Sequence, residues 1–207
     1  MREGIRLYFF GDTYFHAPVL KNIFQIIFSI VLIMEFIILI STALKSHTTP
    51  GMKSKSDRGS MLLIIVGYCL AILLNPFLIH LFPFVVPEFI FWIGMLLAVI
   101  GIFIRIYSVW TLRHYFSPTV QVSSEQKIVQ TGPYKYIRHP AYTGSILALL
   151  GISISFRSPL GIIANLLIIA VIYGYRIKIE EKAMEKSFGL LYENYKKHTW
   201  RLIPHIW

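Results

Sequence analysis

The sequence predicts an all-α, multi-pass integral membrane bundle of about five transmembrane helices, with a cofactor pocket at its cytoplasmic end. Three observations predict it. Hydrophobic residues make up 56% of the 207 and charged residues only 14%, against roughly 25% charged in an ordinary soluble domain. The mean hydropathy is +0.63, more apolar than a water-facing surface can accommodate, so a bilayer must cover it. The apolar residues gather in runs close to the ~20 that cross a hydrocarbon core as a helix. The same composition excludes a disordered chain and argues against a soluble enzyme. Cys69 is the single cysteine, which excludes a disulfide scaffold.

Residues 1–20 mix aromatics with Arg2, Arg6 and Asp12, as a segment at the membrane interface would. No cleavable signal peptide is expected, because the first apolar run begins after residue 20 and is too long for a signal core. That run, Asn22 to Leu44, is helix 1, with Glu35 its one charge. The polar stretch Lys45 to Arg58 reads as a loop. Helix 2 is Met61 to Phe82, where Pro76 removes a backbone donor and predicts a kink. Helix 3 is Pro87 to Leu112, with Arg105 near its end. Helix 4, Ala141 to Phe156, is short. Helix 5 runs from Pro159 to about Ile177 after a tight turn at Arg157-Ser158-Pro159. There is no internal repeat and no low-complexity tract, so residues 1–207 read as one membrane domain.

The net charge is +10, from 20 basic and 10 acidic residues. In a soluble chain that excess would suggest nucleic acid. Here 15 of the 20 basic residues fall in the loop between helices 1 and 2, the loop between helices 3 and 4, and the tail. Five spans place these three regions on one side, which the positive-inside bias makes cytoplasmic. The expected topology is N-terminus out and C-terminus in, the expected partner is the lipid bilayer, and nucleic acid is not needed.

The polar chemistry lies in Thr111 to Tyr142 and in Tyr175 to Pro204, separated only by the hairpin of helices 4 and 5. The two segments are therefore expected to meet at the cytoplasmic end. Gly132-Pro133-Tyr134 is a turn signal. Arg138-His139-Pro140 follows, and Pro140 suits a first helical turn. The new amino terminus presents free N–H groups and a positive dipole end. His139 and Tyr142 are three apart and share a face. An interfacial anchor explains the same residues about equally well. Arg176 and Glu180 are four apart on a helix leaving the membrane, and Glu181 points about 100° away. The pair reads either as a surface ion pair or as a site, since an arginine grips a carboxylate with a planar fork and a glutamate accepts ribose hydroxyls or an ammonium. Glu35 and Asn75 are expected to pair with neighbouring helices, and Arg105 is either a snorkelling or a site residue. The histidines show no metal-ligand spacing, so no metal site is expected. No glycine-rich phosphate loop or nucleophile elbow occurs.

Gly132-Pro133-Tyr134, Arg138-His139-Pro140 with Tyr142 and Gly144, then Glu180-Glu181, Phe188-Gly189, Tyr192, Tyr195 and Ile203-Pro204 together resemble the isoprenylcysteine carboxyl methyltransferase family. That family is related to the phospholipid methyltransferases of membranes. The resemblance covers roughly residues 101–204, so residues 1–100 are expected to supply scaffold helices 1 to 3 and residues 101–207 the methyltransferase core. It implies S-adenosylmethionine (SAM) as cofactor. It assigns to the cofactor Gln121, the stretch Gln126, Lys127, Ile128 and Val129, then Tyr134, then His139, Pro140, Ala141 and Tyr142, and finally Glu180. It assigns Arg176 to the substrate, with Arg176 and Glu180 as the catalytic pair. Gln121 and Gln126 are separated by a short deletion relative to the animal enzymes.

The implied reaction is methyl transfer to a carboxylate on a lipophilic acceptor, a prenylcysteine type or a small lipophilic molecule. A carboxylate is already ionised at neutral pH and needs no general base. Four alternatives stay open. A phospholipid amine would need a base among Glu180, Glu181 and His139. A lipophilic hydroxyl or thiol is a second acceptor class. An NADPH-dependent sterol-type reductase shares the Arg-His-Pro string, and a non-enzymatic scaffold would bind no cofactor. The membrane expected is the plasma membrane in a prokaryote and the endoplasmic reticulum in a eukaryote.

Overall fold

A computed structural model describes residue 15 and residues 17–48, 59–112 and 127–205. Six α-helices follow in order: α1 (Pro18–Thr48), α2 (Ser60–Leu81), α3 (Phe89–Leu112), α4 (Pro140–Ser155), α5 (Pro159–Phe188) and α6 (Leu190–Lys197), with a 3-10 turn at Gly132–Lys135 before α4. Among the described residues there is no β-strand, only a parallel bridge between Ile137 and Trp200. The helices α1, α2, α3 and α5 are long and apolar enough to cross a membrane. The fifth, α4, has 16 residues and reaches only about 24 Å, short of a ~30 Å hydrocarbon core. Outward faces carry exposed Ile33, Phe36, Phe77, Phe103 and Leu167, the inverse of a water-soluble bundle.

Local signals explain the helix ends. Helix α5 begins where the Ser158 hydroxyl accepts from Gly161 N at 3.2 Å, followed by Pro159 at the first helical position. As expected of a helix carrying Arg176, Glu180 and Glu181 out of the membrane, it runs past the end of the apolar span at Ile177, and it stops at Gly189, φ +50. The apolar run ends near Ile177, but the next residues, Lys178 to Lys186, are strong helix formers, so the helix continues out of the membrane. Helix α2 is continuous through Pro76. Beside it, Asn75 Nδ2 donates to the Ala71 carbonyl at 3.1 Å and the Ser153 hydroxyl donates to Asn75 Oδ1 at 3.1 Å, which joins α2 to α4.

The pair α3–α4 makes the closest helix contact. Gly94, Ala98 and Gly101 of α3 face Gly144, Ala148, Gly151 and Ser155 of α4 in antiparallel register. A Cβ on Gly94 would stand 2.6 Å from the Gly151 carbonyl oxygen, and one on Gly101 would stand 2.6 Å from that of Gly144. No side chain fits there. The backbones touch, which is how helices gain dispersion energy in lipid, where the hydrophobic effect gives no drive to associate. Helix α1 closes the bundle through Phe24 and Phe28, packed with Phe15, Phe91 and Phe156 at ring separations of 5.0–6.1 Å.

One largely buried polar node ties the four long apolar helices and the shorter α4 together. Glu35 of α1 accepts from Arg105 Nη2 of α3 at 3.0 Å, from the Ser145 hydroxyl of α4 at 2.7 Å and from the Tyr68 phenol of α2 at 3.4 Å. The Tyr173 phenol of α5 donates to Tyr68 at 3.4 Å. Ions at this depth persist only when paired and hydrogen-bonded. Arg105 also donates from Nη1 to the Ala141 carbonyl at 3.3 Å, so the node reaches the first turn of α4.

Candidate active site

The start of α4 is held by the tail. Arg138 N donates to the Trp200 carbonyl at 2.7 Å, His139 N to that of Arg201 at 3.1 Å, and Trp200 N to that of Tyr136 at 2.9 Å. The Thr143 hydroxyl donates to the Leu202 carbonyl at 2.8 Å. Below them, the Tyr195 phenol of α6 donates to the Tyr134 carbonyl at 2.6 Å. Chain segments about sixty residues apart in sequence thus form one clamp around Arg138-His139-Pro140.

Four of the expected residues converge there. The His139 ring stacks on the Tyr142 ring, 5.5 Å between centroids at 13°. The Tyr142 phenol donates to Glu180 Oε2 and accepts from Arg176 Nε at 2.9 Å. Arg176 Nε lies 3.9 Å from Glu180 Oε2, and His139 Nδ1 lies 4.0 Å from Glu180 Oε1. Arg176 is 1% exposed, and its Nη1 donates to the Ser60 hydroxyl at 2.6 Å. The first residue of α2 is therefore part of the cluster.

The adjacent glutamates have different surroundings. The Glu181 side chain is 7% exposed and receives Arg138 Nε at 3.0 Å, Arg201 Nη2 at 2.8 Å and Arg201 Nε at 3.2 Å, with His139 Nε2 at 3.4 Å. The Glu180 side chain is 32% exposed. Glu181 is enclosed by cations of the fold, whereas Glu180 presents carboxylate to the outside. Burial pushes the phenols of Tyr134, Tyr192 and Tyr195 upward, and Glu180 adds to the shift at Tyr134. These groups stay neutral donors across the physiological range.

The remaining expected residues are distributed as follows. Pro140 and Ala141 form the buried first turn of α4. Tyr134 is buried in the 3-10 turn. Lys127, Ile128 and Val129 lead into that turn without helical structure, Ile128 and Val129 half-buried, and make no hydrogen bond to the cluster among the described residues. Gln121 and Gln126 lie outside the described residues. Among the described residues no group of His, Cys, Asp or Glu is arranged to hold a metal. Ser60 and the Arg138–Glu181–Arg201 link escape sequence reasoning. The only signals for them are a serine opening an apolar run and an arginine three residues before Pro204.

The phospholipid methyltransferase family model matches residues 89–190. A probable protein-S-isoprenylcysteine O-methyltransferase of Oryza sativa subsp. indica is 28% identical over 120 residues, covering 57% of this chain and 63% of that protein. The protein-S-isoprenylcysteine O-methyltransferase of Saccharomyces cerevisiae is 30% identical over 116 residues, 55% of this chain and 48% of that protein. Over these residues the chain is similar both to the phospholipid methyltransferase family and to the protein-S-isoprenylcysteine O-methyltransferases. It spans about half to two thirds of the length of these curated relatives. A solved structure of a eukaryotic intramembrane Ras methyltransferase, isoprenylcysteine carboxyl methyltransferase, shares the fold with a TM-score of 0.63 at 23% identity, covering 93% of this chain and 70% of that one. That match covers nearly the whole chain, so the shared fold includes α1 and α2, which carry none of the sequence motifs.

Proposed function

We propose that this chain is an integral-membrane methyltransferase that takes its methyl group from SAM and delivers it to a carboxylate on a lipophilic, prenylcysteine-type acceptor. The observation that carries the reading is the cluster of Arg176, Tyr142, Glu180 and His139, placed where α5 leaves the membrane.

The donor set suits the cofactor. SAM carries an ammonium, a carboxylate and ribose hydroxyls. The outward-facing carboxylate of Glu180 accepts hydrogen bonds from an ammonium or hydroxyls, and the first turn of α4 offers the positive end of a helix dipole to a carboxylate. Tyr134, His139, Pro140, Ala141 and Tyr142 would complete this side, and the family resemblance adds Gln121, Gln126 and the Lys127-Ile128-Val129 stretch to the cofactor's contacts. When bound, SAM supplies an electrophilic sulfonium methyl. The protein's own task is then alignment and exclusion of water. Arg176, its plane fixed by Tyr142 and Ser60, orients the acceptor carboxylate for in-line attack. A carboxyl of ordinary pKa (about 4) is ionised at neutral pH, so no residue has to remove a proton. An apolar acceptor reaches this depth from the bilayer and a polar cofactor from the water side. In this reading residues 101–207 form the catalytic core on the scaffold of residues 1–100, with the amino terminus outside and the tail cytoplasmic.

The test is binding and turnover in detergent or nanodiscs. Wild type is expected to bind SAM and not NADPH, and to methylate a farnesylated cysteine. Glu180→Ala and His139→Ala are expected to weaken SAM binding, and Arg176→Ala to spare SAM and abolish turnover. Wild-type SAM affinity in both Glu180→Ala and His139→Ala would overturn the site assignment. A second acceptor class, a lipid amine, is favoured by the description of the matching family model. It needs a proton acceptor, which Glu180 beside His139 supplies. Methylation of an amine lipid in place of the prenylcysteine would select it.

A further inference from the structure

A cavity of about 570 Å³ lies on the face of α5 turned away from Tyr142, between that helix, α6 and the tail. Its lower wall is Gly174 and Ile177, and its upper wall is Lys178 and Lys182, with Lys196 and Arg201 opposite. Glu181 and Glu185 are the acidic lining residues. Both are already neutralised: Glu181 by Arg138 and Arg201, and Glu185 by Lys196 at 2.6 Å. The surplus positive charge therefore belongs to Lys178 and Lys182, which form no ion pair among the described residues. These two lysines are four apart, hence neighbours on one helix face, and like charges so placed repel unless an anion sits between them.

Depth identifies the anion. About 20 residues of α5 after Pro159 cross the hydrocarbon core, so Lys178 stands at headgroup level and Lys182 one turn beyond. Below them the wall opens: a Cβ on Gly174 would meet nothing within 4 Å. A cationic upper wall above an opening at Gly174, with exposed Val171 one turn below on the same helix face, fits a phosphate with acyl chains hanging beneath it.

We propose that this groove binds the phosphate headgroup of an anionic phospholipid, held by Lys178 and Lys182 and flanked by Arg201. The site is separate from the proposed methyl-transfer cluster, with Glu181 forming the wall between them, and it does not depend on what reaction that cluster performs. An anionic lipid seated there would brace α5 against the tail segment that holds Arg138 and His139.

The experiment is native mass spectrometry of the full chain released from bilayers of equal phosphatidylglycerol and phosphatidylcholine. Wild type is expected to retain phosphatidylglycerol over phosphatidylcholine. Both lysines are exposed, so the Lys178→Gln/Lys182→Gln variant should fold, and it is expected to retain phosphatidylglycerol about thirtyfold less well. Lys135→Gln/Lys197→Gln, which removes the same charge elsewhere, is expected to retain it as wild type does. Equal loss in both double variants, no preference in wild type, or displacement of the lipid by millimolar inorganic phosphate would each overturn the proposal.

Discussion

Glu181→Gln removes a charge without changing size, and its cost follows from what surrounds it. Arg138, with a side chain 9% exposed, and Arg201, at 31%, both point at this carboxylate. Breaking a buried ion pair by deleting one partner costs about 3–5 kcal/mol, because the other charge stays buried. Two facts reduce that here. Arg138 keeps the carbonyls of Lys196 and Thr199 as acceptors, and Arg201 is exposed enough to turn toward water, where an ion pair contributes little. A loss of about 2–4 kcal/mol remains, which for a chain of this size lowers the melting temperature by roughly 5–15 °C. Thermal unfolding in a mild detergent, followed by tryptophan fluorescence, reads it directly, since Trp200 lies in the clamped tail. Arg201→Gln is the control, expected to cost under about 1 kcal/mol because Glu181 keeps Arg138. A Glu181→Gln protein that melts within a degree of wild type would refute the reasoning. So would an Arg201→Gln protein that is equally damaged.

Three further outcomes are expected. Ser60→Ala removes an acceptor from the buried Arg176, a hydrogen bond to a charged group worth about 1.5–3 kcal/mol; if the proposed roles hold, it raises the acceptor KM at least tenfold and leaves SAM affinity near wild type, as titration calorimetry and steady-state kinetics would show. Gly101→Ala forces α3 and α4 apart and is expected to cost about 1–3 kcal/mol, whereas Gly174→Ala, facing open space, is expected to gain up to about 1 kcal/mol from helix propensity; opposite shifts in melting temperature check the pair. Tyr134, Tyr192 and Tyr195 have folded-state pKa values raised by burial, so their contribution to stability is intact below about pH 10 and is lost as the pH rises above it, where only the unfolded chain ionises. Melting temperature against pH should fall above that point, and less steeply for Tyr192→Phe/Tyr195→Phe.

The spans were legible because a bilayer imposes length and apolarity on any helix that crosses it, and Asn22 to Leu44 or Pro159 to Ile177 state both in composition alone. That α5 continues beyond the span was legible as far as Glu180 and Glu181, but its stop at Phe188 was not, since hydropathy marks where lipid ends and says nothing of where hydrogen bonding ends. His139, Tyr142, Arg176 and Glu180 were legible through motif spacing, and the structure gathers them into one cluster. Ser60 was not, because its role depends on where the first residue of α2 lands against α5, a packing outcome with no local sequence mark. The Gly94, Ala98, Gly101 stripe was readable in principle, as small residues four and three apart, but only α4's matching stripe at Gly144, Ala148 and Gly151 makes it an interface.

Besides the close packing of α3 on α4, the two halves of the chain are joined by a few polar groups at set depths. Glu35 reaches the first turn of α4 through Arg105 and the Ala141 carbonyl, and Ser60 reaches Tyr142 through Arg176. Apolar packing alone would hold the same helices together but would leave their rotation and sliding weakly defined, because one leucine contact in lipid resembles another. A charge or hydroxyl in that medium tolerates few positions, so each such pair fixes register as well as contact. The helix period then divides the work at the membrane edge. Residues one apart on α5 point about 100° apart, so Glu181 can be enclosed by Arg138 and Arg201 while Glu180, its neighbour in sequence, remains open to the water side. The closed carboxylate holds His139 and the tail in place, and that fixed frame leaves the open one accessible beside Tyr142 and Arg176.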